Sequence, residues 1–209
     1  MDKCYGLLES GLNELGLSIA ANKINPLLAF VTLIEKWNKT YNLTAIRNKE
    51  DMVILHVLDS LAILPFLQDT RILDIGTGAG LPGIPLAIYA PDLVFILIDS
   101  NAKKTRFVQQ VILELGLNNV HVRHSRVEAF EDNTGFDTII SRAFSSLEDF
   151  LAKSEHLLRK NGKLLAMKGQ HPKQELEQFA MPWETIPVYV PGITAQRCIV
   201  QIEKGTIHG

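Results

Sequence analysis

Two acids and four glycines have the spacing of a nucleotide-type cofactor site. Asp74 stands inside a short apolar run, Arg71 to Ile75, and glycines follow at positions 76, 78, 80 and 83. Glycine has no Cβ, so the backbone can turn sharply there and a ligand can lie against it. The helix expected next, with Leu86, Ala87 and Ile88, would aim its first peptide N–H groups at the same ligand. A second acid, Asp99, closes the apolar run LVFILID at 93–99. An acid at that strand end can hold ribose hydroxyls. The chemistry this predicts is capture of an adenosine-containing cofactor at one edge of a sheet.

Two frames compete for that cofactor. Residues 78–83, GAGLPG, match the G-x-G-x-x-G of dinucleotide-binding folds, a pattern of low specificity. The other frame, Asp74-x-Gly76-x-Gly78-x-Gly80, resembles the first motif of class I S-adenosyl-L-methionine-dependent methyltransferases. Asp99 suits both, whereas Asp74 favours the second. The loop residues Gly76, Thr77, Gly78 and Gly80, with Asp99, are the candidate cofactor contacts. A sulfonium methyl is already activated, so the protein has mainly to align the acceptor and exclude water. After the fourth predicted strand the chain reads Ser141-Arg142-Ala143-Phe144, not the Asn/Asp-Pro-Pro-aromatic of adenine amino-methylating enzymes. Neither Cys4 nor Cys198 is placed as the nucleophile of a cytosine-C5 enzyme. No Ser/His/Asp triad and no metal-ligand spacing is visible. An acceptor with a free lone pair, such as guanine N7, needs no base to deprotonate it.

The elements that must position these residues fall into two parts, a helical cap over 1–67 and a Rossmann-like core over 68–209. In the first part Leu8, Leu12 and Leu15 share a face before Gly16, a predicted C-cap. Asn25-Pro26 reads as a helix start. Asn48 reads as the N-cap of a further helix, with Glu50 and Asp51 in its first turn, ending before Pro65. From Arg71 strands and helices alternate, the signature of a parallel sheet with crossovers. Strands are predicted at 71–75, 93–99, 120–122, 136–141 and 162–168. A helix is expected from Lys103 to Leu115, and Ser145 with Glu148 reads as a capping box for another. The segments 185–191 and 196–204 are expected to pair as an antiparallel hairpin at the sheet edge. The predicted fold class is therefore α/β, a mostly parallel class I methyltransferase sheet with an antiparallel C-terminal strand and an N-terminal helical extension.

Composition sets the outer bounds. The chain has 209 residues, a net charge of −2, 46% hydrophobic and 21% charged residues, ordinary values for a soluble protein. No overall basic field advertises nucleic acid, although Lys103, Lys104 and Arg106, then Arg123, His124 and Arg126, then Arg159, Lys160 and Lys163 form local clusters. No apolar run is long enough to span a membrane. The N-terminus lacks the apolar segment of a secretory signal, and two cysteines make no disulfide framework. A cytoplasmic protein without metal or membrane partner is expected, and the absence of an obvious apolar stripe predicts a monomer.

Longer stretches carry a more specific likeness. WNKTYNLTAI at 37–46, HVLDSL at 56–61, DIGTGAGLPGIPLAI at 74–88, LIDSNAKKTRF at 97–107, SRVEAF at 125–130, ISRAFSSL at 140–147 and MKGQ at 167–170 together resemble the ribosomal RNA small-subunit methyltransferase G family. The resemblance implies S-adenosyl-L-methionine as donor and N7 of guanine 527 in 16S ribosomal RNA as acceptor, on the RNA or the small ribosomal subunit. It implies cofactor contacts at Gly76, Leu81, Val127, Glu128 and Arg142. It places Asn42, His56, Asp59, Ser60 and Lys168 towards the same pocket, with Arg142, Lys168, His56 and Asn42 as the candidates for positioning the acceptor. Phe144 is the nearest aromatic that could stack on an extruded base. Leu81 and Val127 equally suit a core, Glu128 a surface turn, Arg142 a surface ion pair, and His56 a structural histidine. A small-molecule methyltransferase and an NAD-dependent oxidoreductase stand as the alternative functions.

Overall fold

The computed structural model describes residues 3–67, 70–142, 144, 146–169, 172–177 and 182–203. Seven strands form one sheet in the order β3-β2-β1-β4-β5-β7-β6. β1 (Arg71–Ile75), β2 (Val94–Asp99), β3 (Val120–His124), β4 (Phe136–Ser141) and β5 (Leu158–Lys168) run parallel. β7 (Cys198–Glu203) lies antiparallel between β5 and β6 (Glu184–Pro187). The central strands are apolar almost throughout because helices cover both faces, so no alternation survives. The chain reverses its strand order at β1 and β4, whose carboxyl ends open the crevice where ligands of such sheets bind.

Four helices pack with one face of the sheet: α1 (Lys3–Glu14), α2 (Ala21–Tyr41), α5 (Gly83–Tyr89) and α6 (Ala102–Leu115). Their buried side chains, from Leu8 and Phe30 to Phe107 and Val111, form a continuous cluster with Ile72, Phe95 and Leu97 of the strands. Trp37 of α2 meets Phe107 of α6 at 5.6 Å between ring centroids, tying the N-terminal helices to the sheet layer. The other face is covered by α7 (Leu147–Ser154) with Phe150 and Leu147, and by Leu176 of α8 (Lys173–Glu177). Capping chemistry sets the α6 boundaries: Asn101 Oδ1 accepts from the N–H groups of Lys103 and Lys104, and Gly116 ends the helix at φ 64°.

Several predicted boundaries move. α2 begins at Ala21, so Pro26 sits inside the helix and not at its start. A proline this early removes a single helical hydrogen bond, and burial of Ile24 and Leu27 against the core outweighs that loss. Ser146 caps α7 by accepting from Asp149 N–H at 3.1 Å; Ser145, predicted for that role, lies outside the described residues. Asn48 caps α3 (Lys49–Met52) as expected, and the helical run it opens ends at Leu61, before Pro65, which sits in a separate 3-10 turn, Leu64–Phe66. Between α3 and α4 (Asp59–Leu61) the chain winds as a π-helix from Val53 to Leu58. Such wide turns recur at functional sites, and no sequence pattern announced this one.

Candidate functional site

The loop after β1 is built from hydrogen bonds that only its composition permits. Gly76 and Thr77 donate their N–H groups to Ile98 O at 2.9 and 3.1 Å, fastening the loop to β2. Gly76, Gly78 and Gly80 adopt φ of 69°, 59° and 83°, a region that strains any residue with a Cβ. Asp74 lies wholly buried beneath the loop. Its Oδ2 accepts from the Thr77 hydroxyl at 2.7 Å and from Gly83 N–H at 3.0 Å. Burial raises its carboxyl to about 6, against the pull of those two bonds. Asp74 therefore braces the turn from below and leaves the ligand side to the backbone.

Asp99 takes the opposite position. Its Oδ2 accepts from Gly78 N–H and its Oδ1 from Asn101 N–H, each at 2.8 Å, while the carboxylate borders a cavity of about 330 Å³. Gly76, Ile98, Val127, Glu128 and Phe144 line the same space. A Cβ built on Gly78 would meet nothing nearer than 3.9 Å, so the approach to this backbone is open. A carboxylate for ribose hydroxyls, bare loop backbone, the apolar Ile98 and Val127 and an aromatic ring fit an adenosine-bearing cofactor. Glu128 is exposed and paired with Lys153 at 3.4 Å; a backbone hydrogen bond, then Lys153, hold its carboxyl below the usual range. Thr77, Gly78, Gly80 and Leu81 shape the loop without lining the cavity, Thr77 and Leu81 are buried, and Arg142, expected as a cofactor contact, also lies outside the cavity lining. Phe144 lines this first cavity and meets Phe150 in a tilted ring contact, 4.9 Å between centroids.

A second cavity, about 340 Å³, opens at the same sheet edge and brings together His56, Asp59, Arg142, Lys168 and Arg197. Arg142 follows β4 and Lys168 ends β5, whereas His56 and Asp59 come from the π-helix and the turn after it. Asp59 accepts from Arg142 Nη1 at 3.3 Å and from Arg197 Nε at 3.0 Å. Lys168 Nζ pairs with Glu175 at 3.1 Å. His56 is buried, its Nε2 lies 2.9 Å from Thr44 Oγ1, and its Nδ1 has no partner. Burial, and then the Arg142 cation, lower its imidazole to about 4, leaving a neutral and weakly basic ring at pH 7. Thr44 is itself placed by Asn38, whose side chain bonds Thr44 and Ile46 backbone at 3.0 to 3.2 Å.

Asn42 does not join them. It is exposed, ends α2 in a left-handed conformation at φ 50°, and accepts from Arg47 at 3.2 Å. Arg197 was missed by sequence reasoning, since a basic residue just before a strand gives no signal of what it faces. Among the described residues no group of three His, Cys, Asp or Glu side chains is placed to hold a metal ion, and no helix is long and apolar enough to cross a membrane.

A family model described as rRNA small subunit methyltransferase G matches residues 23–197. The chain belongs to that family. Within the methyltransferase G family, the proteins of that name from Nitrosococcus oceani and Legionella pneumophila are similar throughout. The first is 51% identical over 94% of this chain and 93% of its own length. The second is 50% identical over 97% and 96%. Among solved structures, M. jannaschii TYW2 in complex with AdoMet covers 70% of this chain and 74% of its own, with TM-score 0.55 and 18% identity. Magnesium protoporphyrin IX methyltransferase from Synechocystis PCC 6803 with bound SAM covers 84% and 97%, with TM-score 0.59 and 13% identity. These likenesses show the fold, that of the class I methyltransferases. The antiparallel β7 between β5 and β6 agrees with it and departs from the all-parallel order of dinucleotide folds, so the GAGLPG match to those folds is coincidental.

Proposed function

We propose that this protein transfers the methyl group of S-adenosyl-L-methionine to N7 of guanine 527 in 16S ribosomal RNA. The observation that carries the reading is the pairing of two cavities at one sheet edge. One is an adenosine-fitting cleft on Gly76 and Asp99; the other has a wall of Arg142, Lys168 and Arg197 and a weakly basic His56. Cations in a concave wall suit an RNA strand, and the family's name supplies the class of RNA.

The cofactor supplies an electrophilic methyl. An acceptor such as N7 would offer a free lone pair to that methyl, so the chain would have no proton to remove. This matches a site whose imidazole is held neutral and whose Asp59 carboxylate is taken up by two arginines. The work of the chain is alignment and exclusion of water. Asp99 and the loop backbone would hold the adenosine end, Val127 and Phe144 would cover it, and Arg142, with Lys168, would orient the RNA beside it.

Tritium transfer from labelled S-adenosylmethionine to 16S ribosomal RNA and to small subunits lacking the modification tests the proposal. Label appearing as 7-methylguanine at the one position is the expected result. Absence of transfer to naked RNA, subunits and ribosomes alike would overturn it.

A further inference from the structure

Asp59 ties together three separate parts of the chain. Its carboxylate sits just after the π-helix, 8% exposed, and divides between an arginine 83 residues away and another 138 residues away. Arg142 belongs to the loop after β4, and Arg197 immediately precedes β7. Both arginine side chains are about a quarter exposed, Arg142 at 27% and Arg197 at 26%, and both border the second cavity. The trio of one carboxylate and two guanidiniums keeps one net positive charge at the cavity wall. Beside it His56 is neutral and Lys168 is matched by Glu175.

We propose that Asp59 is a positioning residue for substrate. It holds Arg142 and Arg197 side by side so that their remaining N–H groups form a preset cradle for one phosphodiester group of the RNA strand. The inference rests on the proposed function and names the group by which the RNA is gripped. A long arginine side chain loses substantial rotamer freedom when it binds, and one already held by a carboxylate has lost it beforehand. Guanidinium forks suit phosphate oxygens better than a point charge does.

This gives a sign opposite to simple electrostatics. Replacing Asp59 by Asn adds one net positive charge to the wall, which by charge alone tightens RNA binding and steepens its salt dependence. Positioning requires the reverse. Steady-state transfer to small subunits lacking the methyl group should show kcat/KM at least tenfold lower for Asp59→Asn, chiefly through KM. Asp59→Glu should restore a third or more of the loss. Arg197→Gln should raise KM about fivefold or more with kcat within twofold, and the double variant Asp59→Asn with Arg197→Gln should be at most twofold worse than Asp59→Asn alone, since both remove the same arm.

Unaltered or improved KM in Asp59→Asn, or losses that multiply independently in the double variant, would overturn the inference while wild-type transfer upholds the function. Should Asp59→Asn fail to fold, an unchanged KM in Arg197→Gln would overturn it equally. Failure of the wild type to transfer to any RNA would overturn both readings.

Discussion

The N–H of Gly78 donates to Oδ2 of Asp99 across 2.8 Å, so the loop after β1 and the end of β2 share one carboxylate. Asp99 thus shapes the cradle it also serves. Asp99→Ala should weaken S-adenosylhomocysteine binding by tenfold or more, and Asp99→Asn, which keeps an acceptor for Gly78, should lose less. Calorimetric titration of the two variants checks the order; equal losses would show that loop support is not among the functions of Asp99.

Gly83 leaves no room for a side chain. A Cβ there would come 2.8 Å from Asp74 Oδ2 and 2.9 Å from Leu97 Cγ, both buried. Gly83→Ala should therefore cost about 1–3 kcal/mol of stability, as overpacking does. Denaturant unfolding measures it, and a variant as stable as the parent would mean that Asp74 and Leu97 yield freely.

Two buried groups pull stability in opposite directions below neutrality. His56, held near 4 in the fold against 6.5 ordinarily, resists protonation, so stability falls as pH drops from 6.5 towards 4. Asp74, raised to about 6 from 3.8, takes its proton sooner in the folded state, so stability rises as pH drops through 6 towards 4. Each effect is on the order of 3 kcal/mol when fully expressed. His56→Gln should gain stability relative to the parent on acidification, and Asp74→Asn should lose it relatively. Unfolding curves at pH 7, 5.5 and 4.5 decide this; parallel profiles for parent and variants would refute the assignment.

Arg142→Ala removes a guanidinium but leaves Asp59 paired with Arg197. Its ion pair is partly exposed and contributes little to stability, about 1 kcal/mol at most. Methyl transfer should fall at least tenfold while the midpoint of unfolding shifts only slightly. A large stability loss accompanying the loss of transfer would make Arg142 a structural residue.

Much of the sheet was legible in the sequence because each central strand is a short apolar run bounded by glycine or a capping residue. β1 and β4 matched their predicted ranges, and the C-terminal pairing of β6 with β7 was foreseen. Asp99 was legible as well, since an acid at that strand end has a chemical reason to be there. Three features were not. The π-helix depends on how Val53 to Leu58 pack, and their sequence reads as an ordinary helix. The role of Asp74 as a brace depends on the loop folding back to bring Thr77 and Gly83 over it. Arg197 acquires its meaning only from a partner 138 residues away, a separation no local pattern encodes.

That separation has a consequence in time. A chain emerging from the ribosome carries Asp59 long before Arg197 exists, and the two can meet only when β7 has entered the sheet between β5 and β6. The wall of the second cavity is closed by the same step that completes the sheet. A nascent chain can thus build its glycine turn early and still lack the proposed grip on RNA until β7 is seated.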